Sequence, residues 1–250
     1  MVCSLLPVTA GAAEGNLVAE LIEDGEASGK FLTLEELSAE NSRNINERRT
    51  LKLLDDVTLN VIAGAGNFLA LGLQNGILDL NGHTLTIYGE DAAEDSTVIG
   101  VGTFSGSSAE DASFGNTIRN GTIILDNGNF ASAVLDFIGK LIVENVAFEL
   151  GENGSILEEA GAAIIKAGAF QNPKGELILS NCVVDMGEAS AVIAMPLGPG
   201  DWDGSSENVV IESGSYKNLT SGEETHIQVL GQPITVPDVN ENVTVYTSES

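Results

Sequence analysis

The chain is short of cations. Ten Lys and Arg stand against 37 Asp and Glu in 250 residues, a formal net charge of −27. Such a surface repels nucleic acid and anionic membranes, so neither is expected as a partner. It favours solubility and attracts cations. Half of the basic residues, Lys30, Arg43, Arg48, Arg49 and Lys52, lie close together near the start. The rest of the chain holds only Arg119, Lys140, Lys166, Lys174 and Lys217. The body therefore lacks a basic groove, which argues against an acidic polysaccharide as direct partner. Cysteine is scarce as well. Cys3 and Cys182 are too few for a disulfide framework, so stability must come from packing. Aromatics make up 5% of the chain, with one Trp. No stretch approaches the roughly 18 unbroken apolar residues of a membrane span. There is no phosphate-cradling glycine loop with a Lys, no CxxC and no HExxH.

What is present is aliphatic. The chain is 43% hydrophobic and carries 29 Gly. That mix suits many short strands, with Val, Ile, Leu and Ala inside and Gly or Asn at the corners. The clearest stretch is Gly76–Gly89, GILDLNGHTLTIYG. Leu78 and Leu80 alternate with Asp79. Leu85 and Ile87 alternate with Thr84, Thr86 and Tyr88. Period-two alternation marks strands with one buried face, here on either side of an Asn81-Gly82 corner.

The same pattern recurs. With Gly82, Asn120, Asn145, Asn181 and Ser213 taken as equivalent corners, the residues two before are Leu80, Ile118, Val143, Leu179 and Ile211. Those three after are Leu85, Ile123, Phe148, Val184 and Tyr216. An earlier copy spans Leu51–Val61, with one extra residue at Asp55-Asp56. The steps between corners 82, 120, 145, 181 and 213 are 38, 25, 36 and 32 residues. That spacing suits a wide coil with loops of variable length. Between the corners lie second apolar segments: Phe68–Leu73, Thr97–Val101, Ala131–Ile138, Ala162–Ala169, Ala189–Met195 and His226–Leu230. Each is expected to form the other strand of its coil. Stacked Asn120, Asn145 and Asn181 are expected to form a ladder of side-chain amides, each satisfying the next, at about 4.8 Å per step. On this reading Asn81-Gly82 is a bend between two sheets of one coil, although Asn-Gly between alternating strands is also a hairpin signal.

Ahead of the repeats, residues 1–14 read as a truncated secretory signal peptide. Val2–Val8 is apolar and Ala10-Gly11-Ala12 has the small-x-small form of a cleavage site. Residues 15–29 read as an acidic extended segment. Residues 30–49 read as a helical cap and connector. Thr33 with Glu36 forms a capping box for a helix over Thr33–Ala39, whose apolar face is Phe31, Leu34 and Leu37. Residues 50–250 hold the repeats.

The run LDLNGHTLTI, preceded by LKLLDDVTLNV and a short helix, resembles bacterial secreted and cell-surface proteins with a right-handed parallel β-helix of the pectate-lyase-like type. The likeness is carried by Asn81, Gly82, Leu85 and their repeats. It implies an all-β fold: a single-stranded right-handed parallel β-helix, a solenoid, with a short N-terminal helical cap. It also implies export to the cell surface or medium. The family includes polysaccharide lyases, hydrolases and adhesin-like proteins without chemistry, so fold alone does not decide function.

In lyases of this type a basic residue abstracts a proton beside a uronate carboxylate held by Ca²⁺. Arg119 is the candidate here, against a plain reading as a solvent-facing strand residue. In hydrolases paired carboxylates act as acid and base. Glu144, Glu149, Asp185 and Glu212 face outward, though in so acidic a chain such positions arise by chance. No catalytic residue is assigned. His83 and His226 read as structural, and Cys182 as a buried packing thiol. The loop Gly198–Glu207, GPGDWDGSSE, is the most distinctive non-repeat segment. Asp201, Asp203 and Glu207 offer hard oxygen ligands for Ca²⁺, without the spacing of an EF-hand. Trp202 can stack on a sugar ring or fold back onto the flank of the solenoid. The expected function is a non-catalytic, secreted or cell-surface, adhesin-like module binding carbohydrate or protein, as a monomer or part of a longer surface protein. The alternative is a carbohydrate-active enzyme.

Overall fold

The structure, a computed structural model, describes residues 16–23, 25–38, 44–46, 49–62, 67–90, 97–104, 115–138 and 140–156. Beyond these it describes 165–166, 176–185, 193–194, 209–211, 214–217, 225–229 and 243–247. The protein is all-β, with one short helix among the described residues. The chain begins with β1 (Leu17–Glu23), β2 (Glu26–Thr33), α1 (Leu34–Ser38) and β3 (Asn44–Asn46). It then shuttles between two sheets.

A first circuit comprises β4 (Thr50–Leu53), β5 (Val57–Ile62) and β6 (Asn67–Gln74). A second comprises β7 (Ile77–Asp79), β8 (Thr84–Glu90) and β9 (Thr97–Phe104). The third has two long strands among the described residues, β10 (Asn116–Asp126) and β11 (Gly128–Ile138). The fourth holds β12 (Lys140–Leu150), β13 (Gly154–Ile156) and β14 (Ile165–Lys166). The fifth holds β15 (Glu176–Ser180), β16 (Cys182–Asp185) and β17 (Ile193–Ala194). The last described strands are β18 (Val209–Ile211), β19 (Gly214–Lys217), β20 (Thr225–Val229) and β21 (Val243–Thr247). Corner-flanking strands join a twelve-stranded sheet, and the second apolar segments join a nine-stranded one. Among the described residues every pairing is parallel except those made by β1.

Each circuit lays its inward residues on those of the circuit before. Leu51, Leu78, Ile118, Val143 and Leu179 form one row, with Ile211 next in register. Val57, Leu85, Ile123, Phe148 and Val184 form another, with Tyr216 next in register. From Leu51 to Leu179 and from Val57 to Val184 these side chains are at most 2% exposed. Each such burial contributes about 1.5–3 kcal/mol before conformational entropy is set against it. In the second sheet β9 and β11 bury successive residues. Val98, Ile99 and Val101 are at most 3% exposed, and Ala133, Val134 and Leu135 are all buried although they are consecutive. Consecutive burial means that both faces of these strands are covered, whereas the first sheet alternates.

The register corrects the sequence alignment at one place. Ile118 pairs with Leu78 and Arg119 with Asp79, not Ile118 with Leu80. Past the corner the alignment holds, with Ile123 on Leu85. The second circuit therefore carries two extra residues at its corner. They build a local turn in which Asn81 (φ 52°) and Gly82 (φ 86°) both take positive φ, and the His83 amide donates to Leu80 O at 2.8 Å. Two successive positive φ values are what Asn-Gly supplies at least strain. Leu80 turns inward and is fully buried. It fills the space beside Gly121, where an added Cβ would stand 2.5 Å from Leu80 Cβ and against the His83 carbonyl.

A second correction concerns the nature of the corner. It was expected to bend the chain between two sheets. Instead β10 and β12 run through their corners within one sheet, pairing both before (Arg119↔Glu144) and after (Gly121↔Val146). One left-handed Asn places two outward residues in succession, so the strand bends and the inward phase resumes without loss of pairing.

At the N-terminal end the helix, expected as a cap, places Leu37 in the core. The edge of β4 is taken by β1, antiparallel, and β1 by β2, antiparallel. Bulges in the β1–β2 ladder and Gly29 at φ 71° interrupt the outer strand, which blunts an edge otherwise open to pairing. The capping box forms: the Glu36 amide donates to Thr33 Oγ1 at 3.2 Å, and the Thr33 amide donates to Glu36 Oε2 at 2.8 Å. Of the expected helix face only Leu37 is buried, at 1%, while Phe31 and Leu34 are each 42% exposed.

Candidate functional site

In the first sheet a column of corner side chains is hydrogen-bonded from strand to strand. Asn120, Asn145 and Asn181 have φ of 61°, 55° and 51°. Asn tolerates this left-handed region better than other residues with a Cβ. The three side chains are linked. Asn181 Nδ2 donates to Asn145 Oδ1 at 2.9 Å, and Asn145 Nδ2 donates to Asn120 Oδ1 at 3.3 Å. Asn120 Nδ2 then donates to Asp79 Oδ1 at 3.2 Å.

Asp79 is the hub of this column. Its side chain is 12% exposed, and Arg119 approaches Oδ2 with Nε at 3.0 Å and Nη2 at 2.9 Å. Oδ1 also accepts the Asn81 amide at 3.0 Å. The carboxylate is thus surrounded by donors, which is what a charge so nearly buried requires. The Arg119 guanidinium extends the column on its other side, with Nη1 4.0 Å from Glu144 Oε1. By register the outward row reads Glu20, Lys52, Asp79, Arg119 and Glu144, alternating in sign from strand to strand. Opposite charges directly across a ladder favour pairing. In a chain of net charge −27 such a row places three carboxylates on the sheet with little self-repulsion.

Among the described residues the outward carboxylates form no group of three. Glu144 lies in the charge row and Glu149 is exposed. Glu149 and Asp185 are register partners on β12 and β16, one strand apart. Glu212 lies outside the described residues. Two neighbouring rows on this face hold Thr or aliphatic residues: Ile77, Thr117, Ile142 and Ile178 in one, Thr84, Thr122, Ala147 and Val183 in the other. Val183 is 46% exposed.

The loop residues singled out from sequence, Asp201, Trp202, Asp203 and Glu207, lie outside the described residues. Among the described residues no three His, Cys, Asp or Glu side chains are grouped so as to hold a metal ion. His83 Nδ1 stands 3.6 Å from Asp56 Oδ1, at the corner where Asp56 also accepts the Thr84 amide at 2.8 Å. Cys182 is fully buried, with Sγ 3.3 Å from Val143 O. The side chain of His226 is not among those described.

Sequence reasoning missed Asp79. It was read as an outward residue between two inward leucines, and the alignment set it two residues out of register with Arg119, opposite which it placed Asn81. The signal lay in the length of the LDLNGH turn, two residues longer than the corners that follow it. Among the described residues no helix is long and apolar enough to cross a membrane. The chain matches no family model, no curated protein and no solved structure.

Proposed function

We propose that the chain is a parallel β-helix of the pectate-lyase-like type, right-handed, that acts as a non-catalytic, secreted or cell-surface, adhesin-like module. Its partner is a carbohydrate or a protein, bound along the stacked outward rows. The observation that carries this reading is the engagement of Arg119. The one cation that lyase chemistry would use as a base is held by the Asp79 carboxylate. Both of its close contacts fall on the sheet's own carboxylate, so the guanidinium is occupied within the scaffold. The corner amides are likewise engaged with one another. What remains on the face is a regular array of Thr, aliphatic and acidic side chains at strand spacing, suited to an extended partner.

A carbohydrate-active enzyme is the second reading. It is favoured by Glu149 and Asp185, acidic residues that are register partners on adjacent strands. A glycan array together with a polysaccharide-degradation screen, each with and without Ca²⁺, separates the two. Retention of a glycan without product release is the expected result. Release of product, lost in Glu149→Gln, would replace the binding module by the enzyme.

A further inference from the structure

We propose that Asp79 sets the direction of the asparagine ladder, and that this direction is passed from strand to strand as far as Asn181. The inference concerns the scaffold and is independent of what its surface binds. It starts from an asymmetry. An Asn amide has a donor end and an acceptor end, so a column of them can run either way, each member donating up or each donating down. A charged carboxylate accepts only. Beside Asp79, Asn120 must turn Nδ2 towards it, as it does at 3.2 Å. Its Oδ1 is then left for Asn145, which must turn its own Nδ2 to meet it, at 3.3 Å. Asn181 is constrained in turn, at 2.9 Å. Reversal would place Asn120 Oδ1 against the Asp79 carboxylate, a repulsive contact in a nearly buried position.

Two other corner amides obey the same rule. Asn81 Nδ2 donates to Leu53 O at 3.0 Å, and Asn127 Nδ2 donates to Gly89 O at 2.7 Å. Backbone carbonyls also accept only. Thus the Asn81 amide, the Asn127 amide and the ladder all run towards the earlier strand, and each ends on a group that cannot donate. A newly placed strand would therefore dock by offering donors to acceptors already fixed by the strand before it, with Asp79 as the strongest acceptor at the head of the ladder.

The experiment is side-chain amide NMR on the full chain, with the Asn145 and Asn181 Nδ2 resonances assigned. In Asp79→Asn both ladder directions become accessible, and Asn145 and Asn181 are expected to show a second set of resonances. In Arg119→Met, which leaves the carboxylate in place, a single set is expected. In the exchange variant Asp79→Asn with Asn120→Asp the acceptor-only group moves one step along the ladder, and a single set should return. One unchanged set at Asn145 and Asn181 in Asp79→Asn overturns the proposal, because the left-handed backbone alone would then orient the amides. Where Asp79→Asn proves too unstable to examine, the exchange variant decides. Recovery of a folded chain with one set supports the proposal, and failure of that variant as well overturns it.

Discussion

Arg119 and Asp79 are 40 residues apart in sequence and adjacent in register, with Nε and Oδ2 3.0 Å apart. The pair is unequal. The Asp79 side chain is 12% exposed and accepts from Arg119, Asn81 and Asn120, whereas the Arg119 side chain is 35% exposed. Removing the acid leaves several donors with no acceptor, and removing the base leaves the acid with two of its neighbours. Asp79→Ala should therefore cost about 3 kcal/mol, and Arg119→Met about 1 kcal/mol. Urea unfolding midpoints of the two variants test the order. Equal losses would show that the ion pair, and not the hub, is what matters.

Gly121 gives a second prediction. At the next corners the same inward position holds Val146 and Cys182, both buried. At Gly121 the room is taken by Leu80 and the His83 carbonyl, contributed by the longer turn of the second circuit. The obstruction is partly backbone, so no rotamer change relieves it. Gly121→Ala should destabilise by about 2–3 kcal/mol despite adding one methyl group. Thermal unfolding measures this. A neutral result would mean that the turn can move aside.

These two residues also show what could be read from the sequence. The alternation of Leu85 and Ile87, and of Ile123 and Leu125, marked the inward rows because burial of one face imposes period two. The recurrence of Asn marked the corners because few residues tolerate positive φ. The partnership of Asp79 with Arg119 was hidden, because register before a corner depends on how many residues the corner contains. A turn of local hydrogen bonds can absorb two more without disturbing the strands on either side. The hairpin that closes the edge of β4 was hidden for a related reason. Residues 15–29 carry too few apolar alternations to separate a paired strand from an extended segment, and β1 is specified by the edge it meets.

The ladder itself permits a separation of backbone from side chain. Asn145 at φ 55° donates to Asn120 and accepts from Asn181. Asn145→Gly keeps the backbone free to adopt this conformation and removes both hydrogen bonds. Asn145→Ala removes the bonds and adds the left-handed strain of a residue with a Cβ. The glycine variant should lose about 1 kcal/mol and the alanine variant about 1–2 kcal/mol more. Denaturant titration of both against the parent resolves the two contributions. If the glycine variant matches the parent, the ladder adds no net stability and its amides serve only the left-handed corner.

The capping box yields a prediction in pH. The Thr33 amide, and then its hydroxyl, hold the Glu36 carboxyl below its ordinary value of 4.5, with a smaller contribution in the same direction from Lys30. A carboxyl depressed in the folded state stabilises it above the ordinary value, and that contribution is lost as pH falls through the lowered folded value. The start of α1 should therefore hold through mildly acidic conditions and loosen only below the ordinary carboxylate range. Thr33→Val removes the hydroxyl and keeps the amide, so the Glu36 titration midpoint should rise part of the way back towards 4.5. Carboxyl NMR titration of Glu36 in the two proteins reads this directly. A midpoint unmoved by the substitution would assign the whole depression to the Thr33 backbone amide and Lys30.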